Sequence, residues 1–465
     1  EAHQISFFAC NKPWQSLGAQ SHLHMGRRRG KKGENAGENA DEADTKTAAD
    51  VQGDPLRALI AISPTSGSVA VAAGPELRVL ARSAAGAYDS SVRVLHAQQP
   101  QPGPSAIRTL AFDGSGEFLL ASTDAKVLYV WRTATWELQN TIKLPKRATS
   151  MAFTADNQHW LLSDKYGDVL VAPLASKQSD LVPEVLLGHC SSILTSISVP
   201  HDGALIASAD RDQKVRVSRL PAGAGVMDGA PHIQSFCLGH TDAVTAVAFI
   251  THEGSTLLVS GSADGTLKLW DPSLGDLLDS LDLPAAGVAG AGTTPGTDDA
   301  GAATELGAGA ASAGAPTDAV LGLVPLPGTN QVAVLVDARH AVLLASVDFG
   351  AHALSWRGAA LDLAPLQPTD AAVDGAGRLW LAAGPSGGAG TGAALALAES
   401  GGRGLERVGL VGVEGLGAAA WSEMQGDVGG GPGKPRRLLA HLAKVPPSEE
   451  DVNFRKRQRR DLRGG

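Results

Sequence analysis

Cysteines and long apolar runs are scarce in this 465-residue chain. Its three cysteines, Cys10, Cys190 and Cys237, are an odd number without CxxC spacing, so neither a disulfide framework nor a zinc site is indicated. No apolar run approaches the roughly eighteen residues of a membrane span, and the first segment lacks the charged start and apolar middle of a signal peptide. We therefore expect an intracellular protein that neither crosses a membrane nor is exported.

Positive net charge and catalytic motifs are missing as well. The formal net charge of −9 argues against a broad surface that binds nucleic acid alone, because neutralising phosphates requires clustered Lys and Arg. We find no glycine-rich phosphate loop after a strand, no metal-ligand cluster and no nucleophile motif. The sequence therefore predicts no catalytic residue, no metal and no small-molecule substrate on this chain.

One segment, from Leu238 to Asp271, carries a complete structural signature. It reads LGHTDAVTAVAFITHEGSTLLVSGSADGTLKLWD, with three runs of period-two alternation separated by turn residues. This is the pattern of one blade of a WD-repeat β-propeller. Four polar residues are expected to tie its strands together through hydrogen bonds, a structural role that we favour over a catalytic one: His240, Ser260, Asp264 and Trp270.

The pattern recurs when the last apolar residue of each first strand is aligned. The anchors are Ile62, Phe112, Phe153, Val199, Phe249, Val324 and Val373. Five of the separations lie between 41 and 50 residues, and the step from 249 to 324 is 75 residues. A blade of this type needs roughly 40 to 45 residues, so seven anchors predict an all-β, seven-bladed WD-repeat β-propeller.

The long step predicts a Gly/Ala-rich, disordered loop at residues 284–316, between the fifth and sixth blades.

We assign residues 1–50 to a disordered segment, 51–425 to the propeller and 426–465 to a flexible basic tail. The tail carries Arg455, Lys456, Arg457, Arg459, Arg460 and Arg463. This run is as compatible with a nuclear-localisation or RNA-contacting signal as with a merely solvated terminus. Because the chain starts at Glu1 and not at Met, we expect it to be a fragment or an imperfect gene model.

The fourth blade predicts both a structural network and an exposed turn. Gly188, His189, Ser208 and Asp212 match the signature, whereas Ser218 stands where tryptophan is expected. In a blade, the turn after the second strand and the loop before the first strand share one face. Five cationic residues are therefore expected on one face of the third and fourth blades: Lys146, Arg147, Lys165, Arg211 and Lys214. Asp210 is expected to brace Arg211, and the group is interpreted as a docking patch for a carboxylate or a phosphate backbone.

These strings resemble a particular family. Five strings carry the resemblance, and they occur in this order: STDAKVLYVWRTATWEL, PKRATSMAF, LLSDKYGDVLV, GHCSSILTSISVPHDGALIASADRDQKVRVS and HIQSFCLGHTDAV. From about residue 105 to 275 the chain resembles the non-catalytic WD-repeat subunit of the eukaryotic tRNA (guanine-N7-)-methyltransferase. The resemblance implies a scaffold without catalytic residues, which binds a methyltransferase subunit that carries S-adenosylmethionine and forms N7-methylguanosine in the variable loop of tRNA.

The resemblance also implies roles for particular residues. The segment from Asp210 to Ser218 matches the family segment whose basic side chain pairs with an acidic residue of the catalytic subunit, and Arg211 is the matching residue. Asp164 to Val169 matches a second family segment and places Lys165 beside that contact. The implied partners are the catalytic subunit in a heterodimer, tRNA through the complex, and no membrane; the implied location is the nucleus. A generic WD-repeat scaffold, such as a ubiquitin-ligase substrate receptor, is the alternative.

Overall fold

The computed structural model describes residues 57–82, 93–95, 105–178, 180–190, 192–221, 232–284, 318–337, 339–358, 360–363, 366–385, 394–401 and 404–412. The chain divides into two compact units, Glu1–Gly53 and Asp54–Gly465. Every described element belongs to the second unit. The predicted segments 1–50 and 426–465, including the basic run from Arg455 to Arg463, lie outside the described residues.

The first three antiparallel sheets, numbered in chain order, contain four strands each. Sheet 1 consists of β1 (Ala58–Ile62), β2 (Val69–Ala73), β3 (Glu76–Leu80) and β4 (Arg93–Leu95). Sheet 2 consists of β5 (Ile107–Phe112), β6 (Phe118–Thr123), β7 (Val127–Arg132) and β8 (Glu137–Lys143). Sheet 3 consists of β9 (Ala148–Phe153), β10 (His159–Asp164), β11 (Asp168–Pro173) and β12 (Glu184–Gly188).

The next two sheets also have four strands each. Sheet 4 consists of β13 (Leu194–Ser198), β14 (Leu205–Asp210), β15 (Lys214–Arg219) and β16 (Ile233–Leu238). Sheet 5 consists of β17 (Val244–His252), β18 (Ser255–Ser262), β19 (Thr266–Trp270) and β20 (Leu277–Asp282).

The last two sheets follow the long step in the anchor series. Sheet 6 has five strands, β21 (Val320–Pro325), β22 (Gln331–Val336), β23 (Ala341–Asp348), β24 (Ala353–Trp356) and β25 (Leu361–Asp362). Sheet 7 consists of β26 (Leu366–Val373), β27 (Leu379–Pro385), β28 (Ala394–Gly401) and β29 (Gly404–Gly412). Within the described residues, six sheets thus have four strands and one has five.

Each sheet is a meander, and its first strand lies next to the first strands of the neighbouring sheets. The first strands contact one another in chain order, and β26 of sheet 7 contacts β1 of sheet 1, so the series of sheets closes on itself. Hydrophobic clusters lie between successive sheets, for example between sheets 3 and 4 and between sheets 5 and 6. Central strands such as β2 and β6 are buried along their whole length because a sheet packs on each of their faces. The prediction of an all-β propeller is confirmed.

Threonine hydroxyls on the first strands join neighbouring sheets. Thr195 Oγ1 donates to Val244 O at 2.5 Å, from sheet 4 to sheet 5, and Thr245 Oγ1 donates to Val320 O at 2.5 Å, from sheet 5 to sheet 6. Thr369 Oγ1 donates to Ala58 O at 2.8 Å and closes the step from sheet 7 to sheet 1. Each of these bonds joins the first strand of one sheet to the first strand of the next.

The anchor alignment locates the inner strands well. Six of the seven anchors lie inside the first strands of their sheets, and Val199 directly follows β13. The 75-residue step runs from β17 to β21, and its additional residues lie between β20 and β21, where the Gly/Ala-rich loop is expected. Residues 285–316 of that loop lie outside the described residues, so its disorder stays a prediction. Of the described residues, none forms a helix long and apolar enough to cross a bilayer.

Candidate docking face and channel cavity

Sheet 5 contains a hydrogen-bonded chain of four side chains from β18, β19, the turn between them and the loop before β17. Trp270 Nε1 donates to Ser260 Oγ at 2.7 Å, and Ser260 Oγ lies 2.7 Å from His240 Nε2. His240 Nδ1 lies 2.9 Å from Asp264 Oδ2. Because the carboxylate can only accept, Nδ1 carries a proton and donates to Asp264; Nε2 of the neutral ring then accepts from the serine hydroxyl, which itself accepts from the indole N–H. Every member thus has a partner, as the sequence predicts.

The pKa of Asp264 shows how strongly this network favours the carboxylate. Burial alone would raise it, but hydrogen bonds from His240, from the Thr241 amide and from the Thr266 hydroxyl outweigh burial and hold the pKa well below its usual range. Interactions that lower a pKa stabilise the ionised form in the folded state. The network is therefore a structural clamp on sheet 5.

Sheet 4 builds a similar network with a different carboxylate from the predicted one. His189 Nε2 lies 2.7 Å from Ser208 Oγ, and His189 Nδ1 lies 3.0 Å from Asp210 Oδ2. Asp210 is fully buried and also accepts the amides of Asp212 and Lys214. The assignment of the structural role to Asp212, and of a free bracing role to Asp210, is therefore wrong. The carboxylate comes two residues earlier because the backbone of this turn folds over Asp210.

In sheet 4, where Ser218 stands at the tryptophan position, a nearby arginine makes polar contacts. Arg216 Nε donates to Ser218 Oγ at 2.9 Å, and its Nη1 donates to Gly188 O at 3.1 Å. Burial lowers the pKa of the Arg216 guanidinium, the expected effect of removing a charge from water. Arg216 ties β15 to the end of β12, so sheet 4 is held to sheet 3 by a polar contact.

Arg211 lies at the tip of the sheet 4 turn and is half-buried. Its amide donates to Ile193 O at 2.9 Å, which anchors the backbone of the turn. The guanidinium Nε is buried and has no hydrogen-bond partner among the described residues. Buried donors are nearly always satisfied in folded proteins, so this nitrogen lacks the partner that such a group normally has.

The turn between β10 and β11 lies next to the turn of sheet 4. The amide of His189 donates to Gly167 O at 2.7 Å, and Gly167 has a positive φ of 104°, with the carbonyls of His189 and Ser192 2.8 Å from where a Cβ would stand. The connection between β12 and β13 thus contacts one turn through His189 and the other through Ile193. The two turns are therefore linked through this connection between sheets 3 and 4.

An exposed aromatic residue that the sequence analysis missed completes this face. Tyr166 is 65% exposed, and Lys146 Nζ lies 4.1 Å from the centre of its ring. Lys214 is half-exposed, with Nζ 3.6 Å from Asp210 Oδ2. We call Lys146, Tyr166, Arg211 and Lys214 the docking face. Tyrosine and arginine are enriched at binding hot spots, a signal that points to Tyr166 beside a basic turn.

Arg147 and Lys165 lie on a different surface, the wall of a cavity between the first strands of the sheets. We call the space that these strands surround the central channel. This cavity of about 300 Å³ is lined by residues of all seven first strands, including Ile107, Leu194, Thr245 and Asp370. Lys165 donates its amide to Arg147 O, and Arg147 Nη1 lies 3.3 Å from Asp124 Oδ1. The five cationic residues predicted to meet are therefore divided between the docking face and the cavity.

Two further cations line this cavity, and the sequence analysis did not single them out. Arg108 binds Asp124 with two bonds of 2.7 Å, and Arg57 precedes β1. Burial lowers the pKa of Arg57, while Asp337 and Asp370 act against that effect. Arg108 lies near the start of β5, and Arg147 directly precedes β9, the neighbouring inner strand. Within the described ranges, no cluster of His, Cys, Asp and Glu is arranged to hold a metal.

The closed series of meander sheets and the His–Ser–Asp networks define a WD-repeat propeller. A family model for the tRNA methyltransferase TRM82 WD40 domain matches residues 19–184 and 175–373, which together are more than half of the chain. The chain belongs to this family.

Characterised relatives carry a consistent description. The tRNA (guanine-N(7)-)-methyltransferase non-catalytic subunit WDR4 of Mus musculus is 35% identical over 200 residues, which are 43% of this chain and 45% of that protein. The corresponding subunit of Danio rerio is 30% identical over 279 residues, 59% of each chain. The subunit named wuho in Drosophila grimshawi is 35% identical over 168 residues, 36% of this chain and 40% of that protein. The chain thus spans less than two thirds of these relatives.

Solved structures share the fold at low sequence identity. A chain of the mitotic checkpoint complex matches with a TM-score of 0.52 and 15% identity, over 70% of this chain and 87% of that chain. The structure of U3-55K matches with a TM-score of 0.52 and 18% identity, over 72% of this chain and 90% of that chain. These likenesses support the propeller fold.

Proposed function

We propose that this chain is the non-catalytic scaffold subunit of a tRNA (guanine-N7-)-methyltransferase. It binds, stabilises and orients a separate catalytic subunit, which carries S-adenosylmethionine and forms N7-methylguanosine in the variable loop of tRNA. The family match and the names of the relatives support this role. The chain contacts tRNA as part of the heterodimer, and the complex works in the nucleus.

The observation that carries the proposal is the Arg211 turn on the docking face. The buried carboxylate of Asp210 holds the turn backbone, which leaves Arg211 half-buried with an Nε that has no partner among the described residues. A carboxylate of the catalytic subunit would pair with the half-buried guanidinium of Arg211, whose planar fork is suited to such pairing. Tyr166 and Lys146 extend the contact onto the neighbouring sheet.

We further propose that the scaffold is a closed propeller of seven blades, one for each sheet. The contact of β26 with β1, the Thr369 bond to Ala58 and the contribution of every first strand to one cavity support this arrangement. A closed ring of sheets leaves only short, protected strand edges and presents its loops on a rigid frame. Such a frame holds the docking face in one geometry, which lowers the entropic cost of binding.

The test of the scaffold role is reconstitution with the catalytic methyltransferase subunit from the same organism. The two chains should co-elute at a one-to-one ratio, and the complex should methylate tRNA at guanine N7. Calorimetry should show no heat of S-adenosylmethionine binding to this chain alone. Co-elution with a ubiquitin-ligase core in place of the methyltransferase would assign the chain to the generic class of WD-repeat scaffolds.

The docking face is tested with Arg211→Leu and a matched control, Arg219→Leu. Arg219 lies at the opposite end of β15, where its Nε donates to Gln234 on the surface. We expect Arg211→Leu to weaken association by about 2–5 kcal/mol if the partner carboxylate is buried, and Arg219→Leu to leave association unchanged. Equal affinity of the parent and Arg211→Leu in calorimetric titrations would show that the docking face is misplaced.

A further inference from the structure

The turns of sheets 3 and 4 are built on the same hydrogen bonds. In sheet 4, Asp210 Oδ1 accepts the amides two and four residues further on, at 2.8 and 3.2 Å. In sheet 3, Asp164 Oδ1 accepts the amides at the same two positions, at 2.7 and 3.1 Å. Both aspartates are fully buried. The two turns can therefore be compared residue by residue, with Asp168 at the position of Lys214.

The second oxygen of the buried carboxylate distinguishes the two turns. In sheet 4, Asp210 Oδ2 lies 3.0 Å from His189 Nδ1 and 3.6 Å from Lys214 Nζ. In sheet 3, Asp164 Oδ2 is buried and has no hydrogen-bond partner among the residues that the structure describes. A buried carboxylate oxygen normally has a donor or a cation beside it, because removing a charge from water is costly.

Neither of the two groups that satisfy Asp210 has a counterpart in sheet 3. His189 directly follows β12 and donates its amide to the turn of the preceding sheet at 2.7 Å, and Leu144 directly follows β8 and does the same at 2.8 Å. Leu144 is buried and apolar, so its side chain offers no donor. Asp168 stands where sheet 4 has Lys214, so a carboxylate replaces an amine.

The surroundings of Asp168 show the effect of placing two carboxylates together. Burial raises the pKa of Asp168, and repulsion from Asp164 raises it further. Ser192 borders the same turn: its carbonyl lies 2.8 Å from where a Cβ of Gly167 would stand, and its buried hydroxyl has no partner within the described ranges. Carboxylate, hydroxyl and carbonyl oxygens suit hard cations, and a cation beside the two aspartates would remove their repulsion.

We propose that the turn of sheet 3 binds a divalent cation, Mg²⁺ or Ca²⁺, held by Asp164 Oδ2 and the carboxylate of Asp168. The ion takes the role that the amine of Lys214 has in sheet 4. That amine belongs to a side chain that is 41% exposed, so the position is open to water.

The number of carboxylates favours an ion that keeps much of its water. The described residues contain no group of three or more His, Cys, Asp or Glu arranged for a metal. Mg²⁺ is commonly bound through one or two carboxylates and retains several waters, whereas Ca²⁺ takes six to eight oxygen ligands. This binding site goes beyond the scaffold role and needs no catalytic subunit.

The test is calorimetric titration of the full chain, freed of metal with a chelator, with Mg²⁺ and with Ca²⁺ at constant ionic strength. We expect one site per chain for at least one of the two ions. Asp168→Asn should weaken binding of that ion by about tenfold or more, because even residues that only support a metal site are commonly worth that much. Asp156→Asn is the matched control, because Asp156 is an exposed aspartate between β9 and β10 of the same sheet, and it should bind as the parent does.

A second variant, Asp168→Lys, recreates the arrangement of sheet 4 in sheet 3. Its amine can reach Asp164 as Lys214 reaches Asp210, so the ion is no longer needed. We expect this variant to bind neither ion and to melt at a higher temperature than the metal-free parent.

The outcomes distinguish a metal site from a shared proton and from general surface attraction. No heat with either ion, equal losses in Asp168→Asn and Asp156→Asn, or ion binding retained by Asp168→Lys would overturn the proposal. So would a metal-free parent that becomes more stable on acidification while neither ion binds, because a proton would then join the two carboxylates. A lower melting temperature of Asp168→Lys than of the metal-free parent would show that Asp164 needs no counter-charge, with the same consequence. Because the catalytic subunit is absent, failure here leaves the docking experiment with Arg211→Leu unaffected.

Discussion

Sheets 5 and 4 hold their strands with the same kinds of side chain in different arrangements. In sheet 5 the chain runs from Trp270 through Ser260 and His240 to Asp264; the first three are buried and Asp264 is half-buried. In sheet 4 the chain from Ser208 through His189 ends on Asp210, two residues before the position that the motif predicts. The comparison shows that geometry, and not motif position, decides which carboxylate becomes structural.

This shift changes what the turn of sheet 4 can do. Because Asp210 accepts the amides of Asp212 and Lys214, it holds the turn from inside the fold. Arg211 and Asp212 are then half-buried residues at the tip of the turn. Sheet 5 uses its own turn carboxylate, Asp264, for stability, and the next position is Gly265 with a positive φ of 80°. The turn of sheet 5 therefore stabilises its own sheet, whereas the turn of sheet 4 presents Arg211 and Asp212 at its tip.

The largest expected effect follows from removing the tryptophan that only sheet 5 has. Trp270 is fully buried, so Trp270→Ala should lower the free energy of unfolding by about 3–5 kcal/mol through lost packing and an unsatisfied network. Ser218→Ala, at the equivalent position in sheet 4, should cost clearly less. Urea unfolding followed by fluorescence measures both. Similar losses would mean that the two networks are equally dependent on this position.

The next effect distinguishes the two aspartates of sheet 4. Asp210→Ala removes the acceptor of His189 and of two backbone amides, so it should lower the free energy of unfolding by about 2–4 kcal/mol. Asp212→Ala should change it by about 0.5 kcal/mol or less, as expected at a half-buried turn position. Thermal melts and urea titrations of both variants provide the comparison. A larger loss for Asp212→Ala would restore the motif-based assignment.

A smaller effect concerns the response of sheet 5 to acid. The pKa of Asp264 is lowered in the folded state, so its contribution to stability is present above the ordinary aspartate value of 3.8 and is lost as the pH falls below it. Asp264→Asn should therefore be less stable than the parent at pH 6, with a difference that shrinks between pH 5 and 2. Urea midpoints across that range test the sign. A difference that grows on acidification would contradict the assignment.

The smallest expected effect on stability is at the docking face. Arg211→Leu should shift the free energy of unfolding by about 0.5 kcal/mol or less, because the side chain makes no bond that holds the turn. The same variant is expected to weaken association with the catalytic subunit, so stability and binding separate at this residue. If Arg211→Leu melts as early as Asp210→Ala, the arginine is structural and the contrast between the two turns disappears.

Much of the fold follows from local pattern. The alternation of apolar residues and the anchors from Ile62 to Val373 locate the first strands, and the 75-residue step locates the Gly/Ala-rich segment between β20 and β21. The network of sheet 5 is predictable because its turn keeps the standard spacing from His240 to Trp270. These features depend on near neighbours in the chain, which is the information that periodicity and turn chemistry contain.

The candidate site was predictable only in part. The sequence places Lys146, Arg147, Lys165, Arg211 and Lys214 at one end of the propeller, but it does not say which side chains turn toward the channel. It also does not single out Arg57, which precedes β1, or Arg108, which lies on β5, because both are far along the chain from Lys165. Tyr166 has no motif of its own, and only its exposure beside Lys146 marks it.

The sequence by itself determined the class of fold, the first strands and the one complete network, because each depends on residue types at short, regular spacings. The tertiary structure decided that Asp210 and not Asp212 is the buried carboxylate, since a backbone turn can fold over either residue without changing the pattern. It also decided that Arg108, Arg147 and Lys165 surround one cavity. Closing the ring brings together strands that are distant in sequence, and the charge of a cavity depends on all of them at once.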